Sequence, residues 1–223
     1  MVPTRRKANQ PSAKIALWVN DLESFRRWSD HRDFPEIGHI SYYDGAVHVD
    51  MSKEQLFSHG QIKLVTSITL GGLVTTEKRG RIWFDSAYVT NEAADISNKP
   101  DGVFVAHKSL AARRVSDGEG RESGFVELIG SPDWVLEIVS DSSVQTDKFR
   151  LKELYWKAGI GEYWLIDARG GAIEFEIYRH APKGYVAARR VGGWLKSNVF
   201  GKSFRLSQQT AADGQPEYAL EMQ

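Results

Sequence analysis

Three short apolar runs, each bounded by turn residues, most constrain what this chain can fold into. They are PDGVFVA from Pro100, DWVLEIVS from Asp133 and EYWLIDA from Glu162. Runs of this length with flanking turn residues predict strands that are covered on both faces. The chain must therefore supply further elements to pack on both sides of the sheet that these strands form.

Two predicted helices alternate with these strands. Ser52 begins a Ser-x-x-Gln capping-box pattern, and the following apolar residues predict a long helix over 53–70 that Gly71-Gly72 would end. DKFRLKELYWKAG repeats apolar residues at i, i+3, i+4 and i+7 from Leu151, which predicts a second helix that stops at Gly159. This interleaving predicts the α/β (α+β) class, with a central mixed β-sheet flanked by helices.

Additional antiparallel β structure is predicted towards both ends of the chain. A short helix opened by Asp21 precedes HISYYDGAVHVDM, whose two alternating runs are joined by Asp44-Gly45, a strong hairpin signal. RIWFDSAYVT predicts a strand, ARRVSDGEGRESG a charged surface loop, and the segments after EYWLIDA closing β structure. We predict a flexible basic arm over residues 1–14 and a single domain over residues 15–223.

Composition removes several classes of protein. The 223 residues contain no cysteine, so disulfides and thiolate zinc sites are excluded, and a reducing cytoplasm is the expected compartment. No apolar run approaches the roughly 18 residues that cross a bilayer. No P-loop, GxGxxG or GxSxG motif appears in the chain, so the commonest nucleotide-binding and hydrolase sites are excluded. The candidate functional groups that remain are the carboxylate side chains.

Charge is balanced overall but uneven along the chain. Lysine plus arginine equals aspartate plus glutamate at 29 each, yet no acidic residue lies between Glu176 and Asp213. This basic segment is as typical of solvated strand faces as of a phosphate-contacting surface. Its basic residues are Arg179, Lys183, Arg189, Arg190, Lys196, Lys202 and Arg205, of which the first five are the candidate phosphate contacts.

Two carboxylates fall within or beside the predicted buried strands. Asp101 immediately precedes the apolar run GVFVA, and Glu137 stands in the middle of WVLEIV. Strand alternation places Val135, Glu137 and Val139 on one face. Burying an unpaired carboxylate costs several kcal/mol, so Glu137 must be paired, protonated or bound to a cation. Two acids on neighbouring strand ends can hold Mg²⁺, whereas Pro-Asp alone is also a common structural turn.

Basic residues on the two predicted helices complete the candidate set. Lys148 and Lys152 lie at i and i+4, where either could reach the two acids, although a lysine beside an apolar stripe is more often a surface residue. His59 and Glu54 are weaker candidates, because a lone helical histidine is usually structural. The histidines lack metal-ligand spacing, so we expect no zinc site.

Lys99-Pro100-Asp101, PDWVLEIVSDSS and DKFRLKELYWKAGIGEYWLIDA together resemble the Uma family of restriction-endonuclease-like nucleases, within the PD-(D/E)XK superfamily. The resemblance covers most of residues 20–206 and is most specific from Pro132 to Ala168. It implies a restriction-endonuclease-like core whose active site contains an aspartate, a glutamate and usually a lysine.

By this resemblance Asp101 and Glu137 would bind the metal, with the backbone carbonyl of Ile138 as a further ligand. An acidic residue of the first helix sometimes joins the site, which here would be Glu54. The E-x-K pattern of the superfamily would place its lysine at position 139, where this chain has Val139. The role would then have moved to Lys152 or Lys148, and the sequence does not choose between them.

The resulting hypothesis is a Mg²⁺-dependent endonuclease, with Mn²⁺ as a substitute, that hydrolyses phosphodiester bonds in DNA. The resemblance also admits a homodimer, while no protein partner is identified. One alternative is a catalytically degenerate nuclease fold that binds nucleic acid or a protein without turnover, favoured by Val139 and the zero net charge. Another is a structural domain in which Glu137 pairs with an internal arginine.

Overall fold

The computed structural model describes residues 14–35, 37–120 and 124–223. The predicted arm therefore lies, up to residue 13, outside the described residues. The α-helices are α1 (Leu22–Ser29), α2 (Ile62–Thr76), α3 (His107–Ala111) and α4 (Lys152–Lys157). π-helical turns at Leu56–Gln61 and Thr146–Leu151 lead directly into α2 and α4, and a 3₁₀ turn covers Glu92–Ala94.

The strands form three sheets. The first has the order β2-β1-β5-β4-β8-β7, the central one β12-β11-β10-β9-β6-β3 and the third β13-β14-β15-β16. The strands are β1 (His39–Tyr43), β2 (Ala46–Asp50), β3 (Gly80–Phe84), β4 (Tyr88–Asn91), β5 (Ile96–Asn98), β6 (Gly102–Ala106), β7 (Val115–Glu119), β8 (Phe125–Gly130), β9 (Trp134–Ile138), β10 (Glu162–Asp167), β11 (Glu174–Ala181), β12 (Gly184–Ala187), β13 (Arg190–Val191), β14 (Trp194–Lys196), β15 (Ser203–Thr210) and β16 (Pro216–Met222).

The three apolar runs form the middle of the central sheet as β6, β9 and β10. β9 pairs with β10 in parallel and with β6 in antiparallel orientation, so the sheet is mixed. Every residue of β9 and β10 is buried, as expected for strands covered on both faces. The predicted class, a central mixed sheet flanked by helices with additional antiparallel structure, is confirmed.

The two faces of the central sheet pack against different partners. Trp134, Leu136 and Ile138 of β9 lie in a core shared with α2 and with β14, β15 and β16. Val135 and Val139 lie in the opposite core, which α4 and the first sheet complete. The predicted alternation along this strand is therefore confirmed, and Glu137 shares the face that α4 covers.

The boundaries of α2 differ from the prediction. Gln55, rather than Ser52, caps the helical segment, because its side-chain oxygen accepts hydrogen bonds from the N–H groups of Phe57 and Ser58 at 2.6 Å. The helix also continues through Gly71 and Gly72 to Thr76. Leu73 and Val74 of this last turn are buried, and their packing keeps the helix going where glycine alone would favour an end.

Two further predictions need correction. RIWFDSAYVT is not one strand, because Asp85, with a φ of 54°, turns the chain between β3 and β4, which belong to different sheets. The predicted loop ARRVSDGEGRESG contains β7, which pairs with β8 from Val115 onward. Its residues 121–123 lie outside the described part.

Other local predictions are confirmed. Asp21 caps α1, and Asp44 and Gly45 join β1 to β2 with φ angles of 57° and 70°. The second predicted helix runs from Thr146 to Lys157, and Gly159 follows it with a φ of 72°. Within the described ranges, no helix combines the length and apolar character needed to span a membrane.

Candidate active site

The register of β6 and β9 brings Asp101 and Glu137 to the same edge of the central sheet. Gly102 is opposite Leu136, so Asp101 at the start of β6 lies beside the end of β9. The N–H of Ile138 donates a hydrogen bond to Asp101 Oδ2 at 2.7 Å. The sheet's own backbone therefore fixes one acid next to the other.

Glu137 is only 5% exposed and is held by neutral donors. The hydroxyl of Tyr155 donates to its Oε1 at 2.5 Å, and the side-chain amide of Asn98 donates to the same oxygen at 3.1 Å. Among the described residues, no arginine pairs with Glu137, so the structural alternative based on such a pair is wrong in this respect. Burial, followed by the charges of Asp147 and Asp101, raises the pKa of Glu137 well above its usual range.

Lys63, in the first turn of α2, supplies the ammonium group nearest to Asp101. Its Nζ lies 2.9 Å from Asp101 Oδ1, 2.8 Å from Asp85 Oδ1 and 3.2 Å from Glu54 Oε1. Burial lowers the pKa of Lys63, but the charge of Asp101 and the hydrogen bond to Asp85 outweigh burial and raise it. Lys63 is therefore cationic, and it balances part of the negative charge here.

His59 and Glu54 also reach this position from the segment before α2. His59 Nε2 lies 3.5 Å from Asp101 Oδ2, and His59 Nδ1 lies 3.2 Å from Glu54 Oε2 without hydrogen-bond geometry. Burial lowers the pKa of His59, but its hydrogen bond to Asp101 leaves the pKa raised overall. The π-helical turn directs His59 inward, and its side chain is buried.

Asp147 is a third buried acid facing the same space. It lies on the π-helical turn before α4, where the hydroxyl of Ser143 donates to its Oδ2. Burial is the largest cause that raises the pKa of Asp147 to about 7, and the charge of Asp101 adds to it. Asp101 behaves in the opposite way: despite burial, His59 and Lys63 lower its pKa to about 2.

All of these acids line one cleft of about 680 Å³, together with Ile138 and Lys99. A neighbouring cavity of about 740 Å³ includes Lys53 and Arg169. The two spaces share four lining residues, so together they form a groove that passes the acids. The shared residues are Ser52, His59, Ser140 and Ser142.

The structure does not bring Lys148 or Lys152 to the two acids. Lys148 Nζ pairs with Asp167 at 2.8 Å and Glu174 at 2.6 Å, and Lys152 Nζ lies 3.6 Å from the ring centre of Tyr178. Both lysines line a separate cavity of about 470 Å³. The apolar stripe correctly predicted that both lysines lie in this helical segment. In the structure, however, their side chains line the other cavity and not the cleft of the acids.

The basic segment does not contribute its candidate phosphate contacts to the cleft. None of the five candidate phosphate contacts lines the 680 Å³ cleft, and all five belong to the described chain. Arg190 Nη2 lies 3.2 Å from Glu176 Oε1, and Arg205 pairs with Glu221 at 2.5 Å. Folding thus neutralises part of this segment with acids from other places in the sequence. Its role as a phosphate surface stays a prediction.

A divalent cation fits the donor set at the sheet edge. Two buried acids with raised pKa values, Glu137 and Asp147, line the same cleft as Asp101. Among the described residues, no group of three or more acidic or histidine side chains is arranged so that it could hold a metal ion. The fit is therefore to a divalent cation that takes one or two carboxylates and keeps several water ligands.

Comparison with known proteins identifies the family. A family model described as "Putative restriction endonuclease", named Uma2, matches residues 22–208. The chain belongs to the Uma2 family. A search of curated proteins finds no match.

The Uma2 chain also resembles a solved structure described as a putative nuclease of the DUF820 group, from Anabaena variabilis. The two are 19% identical with a TM-score of 0.58, and the likeness covers 81% of this chain and 90% of that one. At this identity the likeness shows the fold alone.

Of the acids that line the cleft, the sequence analysis of this Uma2 chain named Asp101, Glu137 and Glu54 but not Asp85 or Asp147, and it did not name Lys63. Lys63 is the only charged residue between Ile62 and Thr76, and this isolation in an apolar helix is the signal that could have found it. Asp147 sits beside Lys148 in a charged turn and carries no comparable signal.

Proposed function

We propose that this Uma2 protein is a metal-dependent endonuclease that hydrolyses phosphodiester bonds in DNA at the cleft of Asp101 and Glu137. The observation that carries the proposal is the convergence of these two acids at adjoining strand ends, tied together through the N–H of Ile138. Family membership and the nuclease-like fold support the reaction class.

Asp101 and Glu137 would hold Mg²⁺, or Mn²⁺ in its place, with the carbonyl of Ile138 as the adjacent backbone candidate. When bound, the cation would activate water towards phosphorus and stabilise the leaving oxygen. Tyr155 and Asn98 orient Glu137 by donating to one of its oxygens, so that its carboxyl group is fixed before substrate arrives. The groove past His59 gives a nucleic-acid strand a path across the acids.

The test is cleavage of supercoiled plasmid and of single-stranded DNA with Mg²⁺, Mn²⁺ or chelator. Asp101→Asn and Glu137→Gln should abolish metal-dependent nicking, because each replaces a metal-binding oxygen with an amide nitrogen. Glu174→Gln is the matched control: it removes a carboxylate that is ion-paired with Lys148 outside the cleft, and it should cleave like the wild type.

The main alternative is a degenerate nuclease fold that binds nucleic acid without turnover. The ion pair of Lys63 with Asp101 favours it, because an ammonium at 2.9 Å competes with a metal for the same carboxylate. A wild-type protein that binds Mn²⁺ and DNA but never nicks either substrate would support this alternative over the nuclease.

A further inference from the structure

A buried lysine contacts Asp101, an acid of the cleft, although it does not lie on the strand where the superfamily pattern places it. Position 139 is Val139, which is 1% exposed and packs in the core beneath α4. We propose that Lys63 supplies the positive charge that position 139 lacks. This inference rests on the proposed nuclease function and assigns a catalytic residue of that same site.

The geometry around Asp101 supports this assignment. Asp101 Oδ1 faces Lys63 Nζ at 2.9 Å, while Oδ2 faces the N–H of Ile138 at 2.7 Å and His59 Nε2 at 3.5 Å. The strand and the start of α2 therefore approach the same carboxylate from two sides. His59 and Lys63 are four residues apart, which brings both to one face of the helical segment.

Burying the charged group of Lys63 costs desolvation free energy, which indicates that the charge has a function. Its side chain is 11% exposed, and a buried ion pair can often be replaced by apolar residues without loss of stability. The rest of α2 carries no charge, so an apolar residue at position 63 would suit the helix. The ammonium instead reaches the edge of the central sheet where Asp101 and Glu137 meet.

A phosphodiester entering this cleft would place its non-bridging oxygens within the field of Lys63. As water oxygen bonds to phosphorus and the bond to the leaving oxygen breaks, negative charge grows on these oxygens. The attacking water releases a proton to solvent and the leaving oxygen takes one up, while Lys63 keeps its protons throughout. A fixed cation aimed at developing charge lowers the barrier without any rearrangement.

The test compares Lys63→Met and Lys63→Arg with the matched control Lys148→Met. Lys148 is also ion-paired with two carboxylates, but outside the cleft. Lys63→Met should lower kcat about 10²–10³-fold with little change in KM, the scale of removing one group that stabilises charge in the transition state. Lys63→Arg should recover part of this loss, and Lys148→Met should stay near the wild type.

Mn²⁺ affinity, measured by titration calorimetry without DNA, gives a second readout. Removing the ammonium beside Asp101 should tighten Mn²⁺ binding several-fold in Lys63→Met, because a competing positive charge is removed. Lys148→Met should leave the affinity unchanged. If Lys63→Met fails to fold, Lys63→Gln keeps hydrogen-bond donors without the charge and takes its place.

The outcomes separate the two proposals. A wild type that never cleaves ends the nuclease proposal itself. A wild type that cleaves, together with Lys63→Met that cleaves equally well, ends only the inference about Lys63. Weaker Mn²⁺ binding in Lys63→Met would also overturn it, because the lysine would then merely hold Asp101 in place.

Discussion

Tyr155 and Glu137 form a buried hydrogen bond on which the candidate site depends. Tyr155→Phe removes the hydroxyl that donates to Glu137 Oε1 and should cost about 1–3 kcal/mol of unfolding free energy, the usual cost of leaving a buried polar group without its partner. It should also weaken Mn²⁺ binding, because the carboxyl group is then held by one donor fewer. Urea denaturation and calorimetry measure the two effects.

Tyr185→Phe is the control for this change, since the hydroxyl of Tyr185 donates to the carbonyl of Ile160 at 2.8 Å, outside the cleft. It should lower stability without altering Mn²⁺ affinity. Equal Mn²⁺ affinities in Tyr155→Phe and the wild type would contradict the role given to Tyr155.

Asp147 gives the metal-free protein a distinct pH dependence. Its pKa is about 7 in the folded protein against an ordinary 3.8, so the folded state binds this proton more tightly than the unfolded chain. Stability from this group is therefore complete below about pH 4 and is lost as pH rises towards 7. The loss is at most about 4 kcal/mol, at 1.36 kcal/mol for each unit of pKa shift.

Asp147→Asn cannot titrate and should keep more of its stability over this range. Urea denaturation of both proteins in chelator, at about pH 4.5 and about pH 7.5, measures the difference. Parallel changes in the two proteins would show that Asp147 ionises normally. Asp101 contributes in the opposite direction, because its lowered pKa gives stability that is lost only as pH falls from 3.8 towards about 2.

Individual site residues were predictable to different degrees. Glu137 was visible because a carboxylate interrupts an apolar strand, and Asp101 because it adjoins another such strand. Asp147 was not found, because charged residues are ordinary in helical turns and only the tertiary packing turns this one inward, whereas Lys63 was overlooked although it is the one charged residue of α2. The lysines on and before α4 looked suitable in sequence, but a spacing of four residues does not say which side of the helix faces the acids.

Among the elements, glycine-to-alanine substitutions should have opposite effects on stability in α2 and in the turn after α4. Gly72 is exposed in the middle of α2, and an added Cβ would meet nothing within 4 Å. Gly72→Ala should therefore stabilise the protein by about 0.5–1 kcal/mol, the helix preference of alanine over glycine. Thermal and urea denaturation measure this gain.

Gly159→Ala should do the reverse, because Gly159 has a φ of 72° at the end of the helical segment. An L-residue in that conformation costs roughly 1–2 kcal/mol. If Gly72→Ala also destabilised the protein, then α2 would not continue through its glycine pair in solution.

For helices and strands, the sequence predicted which elements are present more accurately than where each begins and ends. The buried strands and the hairpin at Asp44-Gly45 were identified because length and turn chemistry define them locally. The end of α2 was missed because Leu73 and Val74 pack against distant strands, which no local glycine signal can report. The pairing of β7 with β8 was hidden because its charged sequence is typical of a loop.

For the whole molecule, balanced charge means that the proposed nucleic-acid substrate would be attracted by local positive charge. Lys99 and Lys53 line the groove, whereas Lys183 lines the cavity beyond α4. Lys99→Gln and Lys53→Gln should each lower DNA affinity and reduce the salt dependence of binding by about 0.9 in log–log slope for each phosphate that is no longer neutralised. Fluorescence anisotropy at several salt concentrations measures both quantities.

Lys183→Gln distinguishes the groove from the basic segment. If binding follows the groove, this variant should bind as the wild type does. A reduced salt slope in Lys183→Gln, with no change in Lys99→Gln, would instead place the nucleic acid on the strands that carry the basic segment.

The two π-helical turns have a consequence for comparing relatives. Each holds an additional residue over an α-helical turn, and His59 lies in one and Asp147 in the other. Deleting a single residue from either turn would restore a regular helix and leave the buried strands unchanged, yet it would rotate the inward side chain out of the cleft. A one-residue gap at either place would therefore mark the loss of His59 or Asp147 from the cleft in relatives that keep the fold.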